Sequence, residues 1–257
     1  MKTCLINQSC GLGDILLSIK IGCIYAQQGY SVIWPVEPVY KNIHEKIKPK
    51  EQINFVCVDA KYDHQQQFNN LCQSEISNVT EYGDFLYVPI RRSFHSLWGT
   101  SMQRFDSHDA SNMISKFVMC NTSHNNWQDF FDLNRDFHKE EDLKRYLGAE
   151  GDYHFVNKMF GTPPRWREEL EKEISTPDSM KRIEMEFIEG FDIFDWLGVY
   201  EGAAKIDSVS TSTFYFFEKL NLKCVPTIYS RNTSHRSYEE NFSWLERLSK
   251  KKYNFIC

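Results

Sequence analysis

Several patterns that would point directly to a function are missing from this chain of 257 residues. Its eight cysteines form no C-x-x-C pair and no zinc-type histidine spacing accompanies them, so reduced, buried thiols are expected. No window approaches the roughly 20 apolar residues of a membrane span, and no signal-type apolar segment follows Met1. We therefore expect a cytoplasmic protein with no stable membrane span.

Strong positive charge and an acidic metal motif are missing as well. The net charge is −5 at pH 7, so no long-range field attracts nucleic acid, which is not an expected partner. No D-x-D pair is present to hold a divalent cation, so no metal site is predicted. The hydrophobic content of 41% is enough for buried cores, and the length fits one large or two small α/β domains.

A glycine turn near the N-terminus is the first organised stretch. The apolar run at 4–6 predicts a buried strand, and apolar residues at helical spacing after position 14 predict a helix. Gly11 and Gly13 permit a tight turn that can approach a ligand closely. Asp14 falls in the first helical turn, where the dipole favours a carboxylate. Asp14 is either a functional carboxylate or only a helix-start charge.

A dinucleotide-binding turn is one interpretation of this stretch. The G-x-G-x-x-G pattern requires a third glycine where Leu16 stands, although Glu37 lies at a plausible distance for a ribose contact. Asp14 would face the pyrophosphate and repel it. An NAD-dependent oxidoreductase is therefore the less favoured hypothesis.

Predicted strands and helices alternate along the chain, which is typical of parallel sheets in an α/β fold. Strands are predicted at 31–34, 53–58, 85–88, 153–156, 183–187, 204–209 and 224–229. Helices are predicted at 39–47, 138–147, 165–174, 193–203, 214–220 and 238–250. Gly148 and Gly151 suggest a boundary between an N-terminal domain of residues 1–148 and a C-terminal domain of residues 149–257. The basic run at 250–252 is expected to complement the dipole of the last helix rather than to touch a membrane.

Aromatic and polar residues are interleaved between positions 91 and 148. Open sheets bind ligands beyond the carboxyl ends of their strands, so the loop at 91–99 could line a pocket, with His95 and Trp98 against a substrate. Packing in the core is the more common role of such aromatics.

A run of hydroxyl side chains marks the second organised stretch. The strand at 204–209 leads into the start of an apolar helix, where free backbone N–H groups and hydroxyls favour an anion such as phosphate. A single Ser or Thr would suffice for N-capping, so five hydroxyls within six positions favour the phosphate interpretation. These residues are Ser208, Ser210, Thr211, Ser212 and Thr213.

The two motifs together resemble those of a known family. Residues 11–17, G-L-G-D-I-L-L, resemble the G-x-G-D-x-L-L turn of the heptosyltransferases, and residues 204–213 resemble the later D-[ST]-G-x-x-H segment of that family. Val209 stands in place of the glycine of that segment, and its histidine is absent. The second stretch also resembles the Ser-rich donor turn of fucosyltransferase-like enzymes. The resemblance implies a GT-B glycosyltransferase with two Rossmann-like domains facing a central cleft.

The resemblance also implies roles for particular residues. Asp14 would be the general base that deprotonates the acceptor hydroxyl during an inverting, metal-independent transfer. The nucleotide-diphosphate sugar would be a substrate, with no cofactor, and the acceptor a carbohydrate or glycan. The diphosphate would be bound by Lys158, Arg231, Ser210, Thr211, Ser212 and Thr213. The ribose or sugar would contact Asp207, Ser208, Glu189 and Glu201. The acceptor would contact Gly11, Gly13, His95 and Trp98.

A protein that binds a nucleotide or carbohydrate without turnover is the alternative from another class. It would keep the phosphate turn and lose no function when Asp14 is changed to Asn. If Asp14 is not the base, His95 and Asp84 are the next candidates.

Overall fold

The computed structural model describes residues 2–8, 11–57, 79–90, 113–160, 168–231 and 238–257, without the side chains of 238–241. The chain forms two compact units, Met1–Asn134 and Arg135–Cys257. Each unit contains a five-stranded sheet. The division precedes the helix Phe137–Leu147, whereas the sequence analysis places the domain boundary after it, at the glycine pair.

The sheet of the first unit has the strand order β4-β2-β1-β6-β5. Its first four members are parallel to one another, and β5 joins the edge antiparallel to β6. The strands are β1 (Thr3–Ile6), β2 (Ser31–Val36), β4 (Ile53–Cys57), β5 (Thr80–Tyr82) and β6 (Phe85–Val88). A separate antiparallel pair consists of β3 (Ile47–Pro49) and β7 (Phe131–Leu133).

Helix α1 (Leu12–Gln27) packs closely against this sheet. A Cβ atom added to Gly22 would lie 2.7 Å from Ile53 Cδ1 and 3.3 Å from the Trp34 ring, so a larger residue would require these side chains to shift. The other described helices of the unit are α2 (Ile43–Lys46) and α3 (Ile114–Met119), with 3-10 turns at Pro38–Tyr40 and Trp127–Phe130. Trp127 and Phe131 are fully buried, which matches the expectation that aromatics of this region pack in the core.

The sheet of the second unit is parallel throughout, in the order β11-β8-β12-β13-β14. Its strands are β8 (Tyr153–Asn157), β11 (Lys181–Glu184), β12 (Lys205–Val209), β13 (Thr227–Tyr229) and β14 (Asn254–Ile256). Strands β9 (Met159–Phe160) and β10 (Glu168–Glu169) form a small antiparallel pair. Its described helices are α4 (Phe137–Leu147), α5 (Leu197–Gly202), α6 (Thr213–Phe217) and α7 (Tyr238–Leu248), and a 3-10 turn at Ile193–Trp196 precedes α5.

The helix predicted at 165–174 is wrong for its described part. Residues 168–169 form β10 instead, and the residues after them are not helical. Leu170 and Ile174 have helical spacing in the sequence, but both pack against Val156 and Tyr229 of the sheet. Burial against two strands therefore replaces the helix that local periodicity favours.

The C-terminal strand β14 is not predicted by the sequence analysis. Lys251, in the middle of the basic run, is directed to another helix instead of its own. Its Nζ donates hydrogen bonds to Phe217 O and Leu220 O at the end of α6. Capping these carbonyls places the following residues beside β13, where they extend the sheet.

Strand β2 continues through Pro35, where the sequence analysis ends it. Ser31 N donates to Lys2 O on the β1 side, so alternate N–H groups of β2 face β1. Pairing between β1 and β2 ends at Ile33, so Pro35 lies beyond that ladder, and β2 continues there by pairing with Val56 of β4.

Two further expectations concern thiols and membranes. Six cysteines lie in the described ranges as free thiols. The expectation of buried thiols is confirmed for Cys4 and Cys23 and is wrong for Cys57 and Cys257, which are exposed. None of the described helices is long and apolar enough to cross a membrane.

Candidate functional site

Asp14 lies at the carboxyl edge of the first sheet. Strand β1 ends at Ile6, the chain turns through Gly11 with φ of 79°, and α1 begins at the next residue. A Cβ atom on residue 11 would lie 2.5 Å from Asp14 Oδ2. Glycine is therefore required both by the backbone and by the carboxylate three residues later. Gly13 is buried within the first turn of the helix.

A lysine that the sequence analysis does not identify completes this edge. Lys116, on α3, has a side chain only 1% exposed, and its Nζ lies 3.0 Å from Asp14 Oδ1. Its Nζ also donates to Gln8 Oε1 at 2.5 Å and to Ile90 O at 3.3 Å. Three oxygens thus surround an ammonium that has three N–H donors. The one available signal is a lysine within the otherwise apolar segment of α3.

The Asp14 carboxylate combines a fixed position with partial exposure. Its Oδ1 is paired with the ammonium, its Oδ2 occupies the space that a side chain on residue 11 would fill, and 23% of the side chain is exposed. A carboxylate oriented in this way at a sheet edge can accept a proton from a hydroxyl group brought to it.

The hydroxyls of the second unit divide into two groups. Ser208 and Thr213 are buried with their oxygens 2.9 Å apart, and Asn157 Nδ2 donates to Ser208 Oγ at 3.3 Å. Residues 210–212 are half-buried between the end of β12 and the start of α6. At this described helix start no side chain caps the N-terminus, so simple capping does not explain the hydroxyl run.

Two cations lie along the same sheet edge as these hydroxyls. Arg231 follows β13, its Nε donates to Ser210 O at 2.7 Å, and its guanidinium lies 5.4 Å from the centre of the Phe160 ring. Lys158 follows β8, and its Nζ lies 3.3 Å from Glu169 Oε1. Strands β8, β12 and β13 are parallel neighbours, so their carboxyl ends bring the two cations and the hydroxyl turn together.

Asp207, predicted as a ribose or sugar contact, is buried within the sheet and has protein partners. Its Oδ2 lies 2.7 Å from His154 Nε2 and 2.8 Å from Lys205 Nζ. Burial raises the pKa of the Asp207 carboxyl, but the hydrogen bonds and charges of His154 and Lys205 outweigh it, so the pKa lies below its usual value. With these partners Asp207 stabilises the sheet and is not part of the site proposed below.

Glu201 and Glu189, the other predicted ribose contacts, have different surroundings. Glu201 lies in the last turn of α5, at the amino edge of β12, where its oxygens accept from Arg135 Nη1 at 2.6 Å and Asn221 N at 2.9 Å. These contacts and this edge remove it from the proposed site. Glu189 is exposed on the turn that follows β11 and stays a candidate.

The remaining predicted residues are placed as follows. His95 and Trp98 lie outside the described residues. Asp84 precedes β6, where its carbonyl accepts from Thr3 N at the start of β1. It is therefore at the amino edge of the sheet, opposite Asp14, which corrects its choice as an alternative base. Within the described ranges no three His, Cys, Asp or Glu side chains are grouped to hold a metal ion.

The fold is similar to that of solved glycosyltransferases. The glycosyl transferase family 9 structure from Veillonella parvula DSM 2008 matches with a TM-score of 0.52 and 9% identity, over 100% of this chain and 86% of that one. The E. coli heptosyltransferase WaaC with ADP matches with a TM-score of 0.45 and 11% identity, over 99% and 90% of the two chains. No protein-family model matches the sequence, and no curated protein matches it. The first likeness confirms the predicted GT-B-like α/β fold with two Rossmann-like domains.

Proposed function

We propose that the chain is a glycosyltransferase that moves a hexose-type or heptose-type sugar from a nucleotide sugar to a hydroxyl group of a carbohydrate or glycan acceptor. The observation that carries this proposal is the Asp14 carboxylate held at the carboxyl edge of the first sheet. The cations and hydroxyls at the corresponding edge of the second sheet support it, as does the fold shared with a family 9 glycosyl transferase.

The donor diphosphate binds at the edge of the second sheet in this proposal. Lys158 and Arg231 supply positive charge, and the half-buried residues 210–212 supply hydroxyl and backbone donors. Glu169, which is 66% exposed, pairs with Lys158, and an exposed pair of this kind is weak enough for a diphosphate to displace. The buried hydroxyls of Ser208 and Thr213 hold the turn. Glu189 accepts from the ribose hydroxyls.

The chemistry is a single displacement at the anomeric carbon. The acceptor oxygen forms a bond to that carbon while its proton passes to Asp14. The bond to the diphosphate oxygen breaks, and the nucleoside diphosphate leaves with the electron pair. Attack from the face opposite the leaving group inverts the anomeric configuration. Fixed cations and N–H donors stabilise the developing charge, so the transfer is metal-independent.

A thermal-shift screen of nucleoside diphosphates and their sugars tests the donor site. A ligand present at 100 times its dissociation constant stabilises the folded protein by about 2.7 kcal/mol. Each ligand that binds is then assayed for nucleoside diphosphate release with carbohydrate acceptors, with magnesium or with excess EDTA. Transfer that persists in EDTA supports the proposal. Strict metal dependence contradicts the metal-independent mechanism, and stabilisation by NAD alone favours an oxidoreductase.

A nucleotide-binding protein without turnover is the second candidate. The observation that favours it is the ion pair between Lys116 and Asp14, because a buried lysine requires a counterion whether or not catalysis occurs. Such a protein would bind nucleoside diphosphates, release no product from any nucleotide sugar, and bind equally well after Asp14→Asn.

A further inference from the structure

The buried Lys116 side chain connects three segments at the carboxyl edge of the first sheet. Its Nζ contacts Gln8 after β1, Ile90 after β6, and Asp14 in the first turn of α1. Because only 1% of the side chain is exposed, bulk water does not compete strongly for these contacts. The lysine therefore fixes α1 to the ends of two neighbouring strands.

Asp14 is the acidic residue among these three contacts. The Gln8 and Ile90 oxygens belong to neutral amide groups, so Asp14 alone of the three supplies compensating charge to the ammonium. The contact between Lys116 Nζ and Asp14 Oδ1 restrains one oxygen of the carboxylate. The other oxygen, Oδ2, occupies the space that a side chain on Gly11 would fill, since a Cβ there would lie 2.5 Å from it. The ion pair therefore restrains the carboxylate before any ligand arrives.

We infer that Lys116 is a positioning residue for Asp14, an inference that rests on the proposed function. Buried as it is, Lys116 acts through Asp14 rather than on the substrate. It keeps its own three protons while the proton of the acceptor hydroxyl passes to Asp14. Its contribution is to hold the accepting oxygen in the geometry that the reaction requires, which avoids reorganisation during the reaction.

Lys116→Met removes the charge and keeps most of the side-chain length. In the full chain we expect kcat for sugar transfer to fall about 10- to 100-fold, the size of effect that a small misplacement of a catalytic group produces. The KM for the nucleotide sugar should stay within about 2-fold, because donor contacts are proposed only in the second unit. An unchanged kcat overturns the inference.

Lys20→Met is the matched control for loss of a buried lysine in the same unit. Lys20 is 7% exposed, and its Nζ donates to Asn125 O and lies 5.1 Å from the centre of the Phe130 ring. Its kcat should match that of the wild type even if its melting temperature falls. An equal loss of kcat in both variants overturns the inference, because the effect would then be general destabilisation.

The double variant Asp14→Asn with Lys116→Met separates positioning from stability. If Lys116 acts through Asp14, the lysine change causes no further loss of kcat once Asp14 is neutral. The same change should raise the melting temperature of Asp14→Asn, by on the order of 10 °C, because it removes an unpaired buried ammonium. Losses of kcat that multiply overturn the inference.

Lys116→Arg keeps the test decisive if Lys116→Met does not fold. It retains a cation but presents planar donors, so kcat should fall less than in Lys116→Met, again with KM unchanged. A wild-type kcat in this variant, with Lys116→Met unfolded, overturns the inference. Failure of the proposed function looks different, because the wild type itself then transfers no sugar while the melting temperatures still show coupling between Asp14 and Lys116.

Discussion

Both sheets carry charged groups at their carboxyl edges, but the burial of these groups and of their partners differs between the two sheets. At the first edge, Asp14 is paired inside the protein with a lysine that is 1% exposed. At the second, Arg231 is exposed, and Lys158, which is 16% exposed, pairs with a glutamate that is 66% exposed. A charge paired with a buried ion keeps a fixed orientation, whereas an exposed cation, or a cation whose partner is exposed, remains accessible to an anion. The first edge suits a proton acceptor, and the second suits a phosphate ligand.

A second buried ion pair in the molecule sharpens this contrast. Asp207 pairs with His154 and Lys205 in the middle of the second sheet, away from either strand end. Like the pair of Asp14 and Lys116, this group joins a carboxylate to a basic side chain, but it does not lie at a sheet edge where a ligand could bind. Position on the sheet, rather than the presence of a buried pair, is therefore what separates a catalytic candidate from a structural one.

Asp14→Asn should have the largest effect, because it removes both the proposed proton acceptor and the counterion of Lys116. Turnover should fall about 100- to 10,000-fold, since the amide cannot accept a proton. The free energy of unfolding should fall by about 3 kcal/mol, the low end for a buried pair because Asp14 is 23% exposed. Initial rates and urea unfolding on the same preparation measure both effects.

Asp132→Asn is the control for this variant. Asp132 pairs with Lys50 at the surface of the same unit, so its loss should cost less than about 1 kcal/mol and leave turnover unchanged. A destabilised Asp14→Asn protein with full turnover would make Asp14 only the counterion of Lys116. Of the two alternative bases, His95 would then remain, since Asp84 lies at the opposite edge.

Arg231→Ala tests the second edge and should have the next largest effect. Charge-assisted hydrogen bonds contribute about 1.5–3 kcal/mol, so the dissociation constant for a nucleoside diphosphate should rise roughly 10- to 100-fold. Isothermal titration calorimetry measures this change. Lys223→Ala removes the same charge at the opposite edge, where Lys223 Nζ donates to Gly202 O, and should leave affinity unchanged. Equal affinities for both variants would exclude Arg231 from the donor site.

The first edge was only half predictable from sequence. Gly11 and Asp14 are three positions apart, so a local pattern identifies them. Lys116 is 108 positions from Gln8, and only the folded chain brings it to the end of β1. A lysine in an apolar helix could equally extend its ammonium to water, and the sequence does not distinguish the two outcomes.

In the second sheet, too, only the elements that depend on local sequence could be predicted. Strands β8 and β12 and the hydroxyl turn follow from apolar runs and local polar residues, and all are found near their predicted positions. Strand β14 is short and half-exposed, and its place depends on Lys251 capping a different helix. Asp207 has the spacing of a ligand contact, but the alternation of the strand directs it to His154.

Asp207→Ala should reduce stability without reducing donor affinity. Loss of the carboxylate leaves Nε2 of the buried His154 ring without its partner, while Nδ1 keeps Thr176 Oγ1, at a cost of about 1–3 kcal/mol at pH 7. The pKa of Asp207 in the folded state lies below its unfolded value of about 3.9, so the unfolded chain takes up the proton first as the pH falls. The stability that Asp207 provides is therefore fully present above about pH 4 and is lost progressively as the pH falls through the lower pKa of the folded state.

Urea unfolding of the wild type and Asp207→Ala at pH 7 and below pH 4 measures this difference. The two proteins should approach equal stability at the lower pH. A difference that grows as the pH falls would mean that the carboxylate is not stabilised by its partners. Weaker binding of nucleoside diphosphate by a folded Asp207→Ala protein would return Asp207 to the donor site.

Ser212→Ala should have the smallest effect, because it removes one hydroxyl and leaves the backbone donors of the turn. One lost hydrogen bond costs about 1 kcal/mol, so the dissociation constant for a nucleoside diphosphate should rise roughly 5-fold. Calorimetry measures the affinity, and thermal unfolding without ligand should be close to that of the wild type because Ser212 is half-buried and caps no helix.

Thr213→Val, in the same run of hydroxyls, should instead lower stability and leave the affinity for nucleoside diphosphate nearly unchanged. The Thr213 hydroxyl is buried and lies 2.9 Å from Ser208 Oγ, so its loss should lower stability by about 1 kcal/mol and leave affinity nearly unchanged. The two variants thus divide the hydroxyl run into residues that bind and residues that hold the turn. Unchanged affinity after single alanine substitutions at 210, 211 and 212, in proteins that fold normally, would show that the diphosphate does not bind at this turn.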